Sequence, residues 1–221
     1  MALALFDLDN TLLAGDSDYL WGCFLAREGL VDAASHEREN LRYYHDYQAG
    51  RLDIHEFLRF ALRPLADHDP RLLEALRARF VAEMIAPIVA PGAPALLARH
   101  RARGDRLAII TATNRFVTAP IAALLGIDDL LATEPEQVDG RYTGEPAGIP
   151  CFREGKVLRL QAWLAETGMD LADSWFYSDS HNDLPLLEAV THPVAVDPDP
   201  QLRETAAARG WEVLSLRGDA G

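Results

Sequence analysis

The sequence is short of cysteine and of lysine and has no long apolar run and no internal repeat, and each shortage removes a class of protein. Its two cysteines, Cys23 and Cys151, stand far apart in no CxxC pattern, so neither a disulfide framework nor a zinc site follows from them. Both read as small buried hydrophobes. No stretch approaches the ~20 apolar residues that span a bilayer, which argues against a membrane protein. The opening Met-Ala-Leu-Ala-Leu-Phe-Asp has no basic region and too short an apolar run for a secretory signal. The plain expectation is a soluble, cytoplasmic protein. A formal net charge of −13 argues against a nucleic-acid surface, which needs clustered Lys and Arg. It leaves small anions open, because an acidic chain binds phosphate by holding a cation and aiming backbone N–H groups at the anion. No feature specifies an oligomeric state.

What is present fits one α/β fold with an insertion. The 221 residues, 49% hydrophobic, suffice for a sizeable core. Residues 2–7 form an apolar run ending in an acid, as a buried parallel strand would. From about 16 to 85 the patterns are helical only. Leu20, Trp21, Phe24 and Leu25 make an apolar stripe that Gly29 can stop. Asp53 and Glu56 have capping-box spacing before a helix that Pro64 is expected to follow, and Asp69-Pro70 opens another.

From about residue 86 strands and helices alternate. A helix after Pro94 ends near Gly104, a buried strand covers 106–111, and helical residues run to Leu125. A strand at 130–133 precedes a hairpin at 138–143 turning on Asp139-Gly140. Then come a helix at 154–167, a strand at 174–178, a helix at 183–190, and strand, helix, strand at 194–196, 200–209 and 211–214. This predicts a doubly wound, Rossmann-like parallel sheet, with segments 1–15 and 86–221 as the core and 16–85 as an inserted all-helical cap. Ligands in such sheets bind beyond the carboxyl ends of the strands.

The polar residues of interest fall there. Asp7 and Asp9 are two apart, so an extended chain points both to one side; adjacent carboxylates repel unless a cation lies between them. Read blandly, this is an acidic strand-to-loop turn. Asp179-Ser180-His181-Asn182-Asp183 follows a second strand; a Ser180 or Asn182 helix cap explains one polar residue there but not two acids and an amide. The two clusters together supply oxygen ligands of the kind Mg²⁺ takes. Thr111, with Ala112-Thr113-Asn114 leading into a helix, offers a hydroxyl and free N–H groups to a phosphate, or an ordinary N-cap. Lys156 is the only lysine in the sequence; alone it would read as a surface residue.

Taken in order, an acid pair after the first strand, a Thr after a hydrophobic strand, a Lys, and D-x-x-x-D after a later strand resemble the four motifs of the haloacid dehalogenase superfamily. They span nearly the whole chain. The helical insertion, Gly50-Arg51-Leu52-Asp53, and Tyr177–Pro185 resemble its phosphoserine-phosphatase-like branch, subfamily IB.

The resemblance implies a phosphoric monoester hydrolase acting on a small phosphorylated metabolite. Asp7 would be the nucleophile that becomes an aspartyl-phosphate, and Asp9 the acid and then the base. Asp7, Asp179 and the carbonyl of Asp9 would hold Mg²⁺, with Asp183 behind that shell. Thr111, Ala112, Lys156 and Asn182 would bind the phosphoryl oxygens. In that branch an acid after the first motif meets the substrate amine, and Asp16 lies at about that place. A cap arginine holds the substrate carboxylate; Ala61 falls about there, with Arg59 and Arg63 on either side as possible anchors. Phosphoserine is accordingly a poor expectation for the substrate. The same chemistry would serve a phosphomutase or phosphotransferase, and a phosphate-sensing relative that is no enzyme would share the fold. His181, though inside the fourth motif, is read as a bystander; Tyr43, Tyr44 and Tyr47 either line a pocket or, the expected reading, pack in the core.

Overall fold

The computed structural model describes residues 2–218; Met1 and 219–221, which the expected core segments include, lie outside the described residues. Seven strands form one sheet in the order β4-β3-β2-β1-β5-β6-β7. They are β1 (Leu3–Phe6), β2 (Arg106–Asn114), β3 (Asp129–Val138), β4 (Arg141–Ala147), β5 (Trp175–Ser178), β6 (His192–Val196) and β7 (Glu212–Leu214). All neighbours are parallel except β3 and β4. The chain is an α/β protein of Rossmann-like type with an inserted helical cap.

Central β1 is wholly buried, which is why Leu-Ala-Leu-Phe reads as a continuous apolar run. Its side chains alternate between two layers. Ala4 and Phe6 join Ile109, Tyr177 and Val194 on one face. Leu3 and Leu5 join Ala108, Ile110 and Phe176 on the other. Phe6 is paired with Ile109 on one side and Tyr177 on the other. That register brings Asp7, Thr111 and Asp179 out at one edge of the sheet.

Between β1 and β2 lie the cap helices α1 (Ser17–Arg27), α2 (Ala33–Gln48), α3 (Ile54–Asp67) and α4 (Pro70–Phe80). Asp16, Asp32, Asp53 and Asp69 cap their first turns through side-chain oxygens, so several of the chain's acids serve local structure. The apolar stripe of α1 packs against α4 and the core: Trp21 lies 5.1 Å from Phe80 and 5.9 Å from Phe116, ring to ring. Helix α3 continues to Asp67 through Pro64, where the sequence predicts an end. Leu62, Pro64 and Leu65 are all buried, and that burial outweighs the lost N–H bond.

Helices α5 (Ala93–Arg103), α6 (Arg115–Leu124), α7 (Glu154–Thr167), the short α8 (Leu184–Leu187) and α9 (Pro200–Arg209) cover the sheet. Asn114 caps α6 by accepting from Val117 N. Pro120 lacks the N–H that would reach Phe116, and the Phe116 carbonyl accepts from Arg77 of α4 instead, at 2.8 Å. The expected hairpin turns at Asp139-Gly140, both at positive φ (51° and 76°), as a two-residue turn requires. Its strands are longer than predicted because their outer halves are half-exposed and lack an apolar signature. The helix expected at 183–190 is only α8, since a tight turn capped by Ser180 occupies His181–Asp183. No helix among the described residues is long and apolar enough to cross a membrane.

Candidate active site

Where the chain leaves β1, Asp9 stays extended (φ −71°, ψ 133°) and Asn10 turns into the left-handed region at φ 57°, a conformation Asn tolerates better than most residues. Both Asp7 and Asp9 consequently face one cavity between sheet edge and cap, whose floor also holds Thr111, Ala112, Thr113, Lys156 and Asp183. Lys156 is the only lysine in the chain and is 3% exposed. Its Nζ donates to Asp7 Oδ1 at 2.9 Å and to Asp183 Oδ2 at 2.7 Å. Burial pulls a lysine's pKa down; here Asp183 and Asp7 more than reverse that, and Lys156 is held charged.

Two features aim this lysine. A Cβ on Gly155 would collide with the carbonyl oxygen of Pro150, so the approach to α7 requires glycine. Arg153, just before α7, sits at φ 50°, ψ −122°, a backbone strain of roughly 1–3 kcal/mol. Its guanidinium donates to Asn182 Oδ1 at 3.0 Å and to the Gly50 carbonyl, tying the loop to the cap.

The acids of the floor are each paired. Asp9 accepts from the Ser17 N–H at 2.6 Å and from the Thr113 hydroxyl at 2.8 Å. Asp183 also accepts from Ser178 at 2.6 Å, and Asp179 from Thr11 at 3.1 Å. Thr111 is buried and accepts from Thr113 N at 3.2 Å. Positive charge is nonetheless short. Burial pushes Asp7 up to about 7, against the pull of Lys156 and with repulsion from Asp183 and Asp9. Burial and the charge of Asp16 push Asp9 up to about 6. Burial, then Asp7 and Asp183, hold Asp179 well above the carboxylate range.

That deficit bears on a metal. Among the described residues no group of three or more His, Cys, Asp or Glu side chains is arranged to hold an ion by itself. The charge of Asp7 raises the pKa of Asp179, and these two carboxylates with a backbone carbonyl and waters would make the sparse oxygen set that Mg²⁺ accepts. The residues fit a magnesium ion.

Several predicted residues lie elsewhere. Asn182 is not aimed at the cluster: its amide bridges Arg153, Ser180 and the Tyr47 carbonyl of α2, because the turn at His181–Asp183 rotates it toward the cap. Arg59 and Arg63 are exposed on the outer face of α3, and Arg63 pairs with Asp67. Neither lines the cavity, since their helical phase points away from it. Asp16 lines the cavity but spends Oδ1 on capping α1. Ala61 lines a small void under the cap beside Asp18. His181 is bound to Asp199 at 2.7 Å and lines, with Asp179, a second cavity behind Asn10, Tyr44 and Tyr47. Tyr43 is buried with Leu52 and Phe152, as a core residue would be, and Tyr47 packs against them; Tyr43, Tyr44 and Tyr47 also line the first cavity. Sequence reasoning also missed Thr11, Thr113 and Ser178 as partners of the acids, and Asp18. The first three sit inside the motif strings; Asp18 had no signal beyond an acid in a first helical turn.

The chain is similar in sequence and fold to known proteins. Residues 4–188 match the model of the haloacid dehalogenase-like hydrolases. The chain is 46% identical over 219 residues to a histidinol-phosphatase of Neisseria meningitidis serogroup C (strain 8013), covering 97% of this chain and 99% of that one. A crystal structure of a Bordetella pertussis Tohama I protein of unknown function superposes with a TM-score of 0.92 at 51% identity, covering 97% and 98% of the two chains. A phosphoserine phosphatase captured as a phospho-aspartyl intermediate analogue shares the fold, with a TM-score of 0.72 at 23% identity over 99% and 94%. By the match of its sequence and the likeness of its fold, the chain belongs to the haloacid dehalogenase-like hydrolases, among relatives that are phosphatases.

Proposed function

We propose that this chain is a Mg²⁺-dependent phosphomonoesterase that hydrolyses a small phosphorylated metabolite through transfer of the phosphoryl group to Asp7, with residues 1–15 and 86–221 as catalytic core and 16–85 as cap. The observation that carries the reading is the buried Asp7–Lys156–Asp183 array beside Asp9, on the floor of a cavity roofed by the cap.

In the first step a carboxylate oxygen of Asp7 attacks phosphorus as the ester P–O bond breaks, and Asp9 gives its proton to the departing oxygen. The raised pKa of Asp9 suits it to carry that proton. In the second step Asp9 takes a proton from water, the water oxygen attacks phosphorus, and the Asp7–phosphorus bond breaks. Lys156 and the Thr111 and Ala112 segment hold the phosphoryl oxygens while charge redistributes. Magnesium, held by Asp7, Asp179 and the Asp9 carbonyl with Asp183 behind, would neutralise phosphoryl charge so that an anionic nucleophile can approach.

Histidinol phosphate is the first substrate to try. The Neisseria relative carries that name, and among the described residues no arginine lines the cavity where a phosphoserine carboxylate would need one. Inorganic phosphate released from histidinol phosphate is to be measured with Mg²⁺, with EDTA, and for Asp7→Asn. Many turnovers are expected with Mg²⁺, and a loss of at least about 1,000-fold in the other two arms. One equivalent of histidinol with no inorganic phosphate released would indicate a phosphate-accepting switch, and wild-type turnover by Asp7→Asn would eliminate the covalent route.

A further inference from the structure

We infer that Asp18 selects the leaving group: its carboxylate pairs with a positive charge on the organic half of the substrate, against a wall of tyrosines, so that cationic phosphomonoesters are taken and carboxylate-bearing ones refused. This rests on the phosphomonoesterase reading and adds the chemistry by which that site chooses.

Asp18 is the second residue of α1 and lines the cavity from the cap side. An acid in a first helical turn ordinarily answers the helix dipole and the free N–H groups. Here those groups are already taken. Ser17 N donates to Asp9, Asp18 N and Tyr19 N donate to Asp16 Oδ1 at 3.0 and 2.9 Å, and Leu20 N donates to the Asp16 carbonyl. The start of α1 is complete without the Asp18 side chain.

That side chain has neither a hydrogen-bond donor nor a cation among the described residues, whereas every other acid of the cavity has a partner. Burial and the charges of Asp16 and Asp9 press on its carboxyl group. A half-buried acid beside two others, with no donor of its own, is a cost in the free protein, and a cationic ligand relieves it. Lys156, the one cationic side chain among the described residues lining the cavity, is committed to Asp7 and Asp183. A carboxylate near the cap would therefore meet only Asp16 and Asp18.

The walls match this charge. Tyr19, Tyr44, Tyr47 and Phe152 line the cavity, and the rings of Tyr19 and Tyr44 lie 5.8 Å apart. Aromatic faces attract a cation directly and exclude the water that would screen it from Asp18.

The test is a selectivity ratio. kcat/KM is measured for histidinol phosphate, O-phosphoserine and p-nitrophenyl phosphate with wild type, Asp18→Asn and Asp18→Glu, each normalised to that variant's own rate on p-nitrophenyl phosphate so that lost folded protein cancels. Wild type is expected to prefer histidinol phosphate to phosphoserine. Asp18→Asn should lower the normalised value for histidinol phosphate at least about tenfold, through KM, and raise that for phosphoserine. Asp18→Glu should retain most of the wild-type ratio. If p-nitrophenyl phosphate is turned over but Asp18→Asn leaves the ratios where they were, the assignment to Asp18 is wrong and the phosphatase reading stands. If no ester is turned over, both fall.

Discussion

The floor and the roof of the cavity are built from the same residue types and treat them in opposite ways. On the floor Asp7, Asp9 and Asp183 lie within a shell of donors: Lys156, Thr113, Ser178 and the Ser17 N–H. Under the roof Asp18 has no such shell and faces tyrosines. In the proposed reaction the floor would meet the phosphoryl group, which is the same in every phosphomonoester, so its donors can be fixed in advance and cost no reorganisation. The roof would meet the part that differs between substrates, and an unanswered charge there would act as a selector.

The comparison breaks most sharply at Lys156. Lys156→Met should lower kcat/KM by about 1,000-fold or more and stability by about 3–5 kcal/mol, because it leaves Asp7 and Asp183 buried without a cation. Denaturant melts in EDTA measure the second effect. In the Asp7→Asn background the same substitution should cost visibly less stability, since one acid is already gone; equal costs would mean that the array is not a coupled unit.

Gly155→Ala tests whether the aim of the lysine matters as much as its presence. The clash with Pro150 must shift the first turn of α7, and a fall of about 100-fold in kcat with near-normal circular dichroism is expected. Thr113→Val frees one oxygen of Asp9 and should cost about tenfold in kcat with little change in KM. At the small end, Arg59→Ala, Arg63→Ala and His181→Ala should each stay within about threefold of wild type in kcat/KM. A large loss from either arginine would place the outer face of α3 in the substrate site and refute the division between floor and roof.

How much of this was legible beforehand depended on the range of each interaction. The β1 strand and its terminal Asp7, the hairpin at Asp139-Gly140 and the caps Asp53 and Asp69 were readable because neighbouring residues determine them. Helix α3 running through Pro64 was not, since burial of Leu62 and Leu65 by distant elements overrides the local signal. Of the site, Asp7, Asp9, Thr111, Ala112, Lys156 and Asp183 do meet at one cavity, whereas Asp179 lines the second cavity beside it. Asn182, Arg59 and Arg63 do not, because a tight turn and a helical phase decide where their side chains go. Asp18 was passed over because an acid in a first turn already has an ordinary explanation, and only the full set of α1 hydrogen bonds removes it.

The amino-acid sequence by itself determined the order of strands and helices, the acid at the end of β1 and the placing of an acid pair, a threonine, a lysine and a second acid pair after successive segments. These follow from hydrophobic period and chain order. Only the tertiary structure decided that Lys156 bridges Asp7 and Asp183, 149 and 27 residues away, and that Asp16 is used up while Asp18 is not. The reason is that parallel pairing and the docking of the cap join groups far apart in the chain, and a charge is defined by what surrounds it.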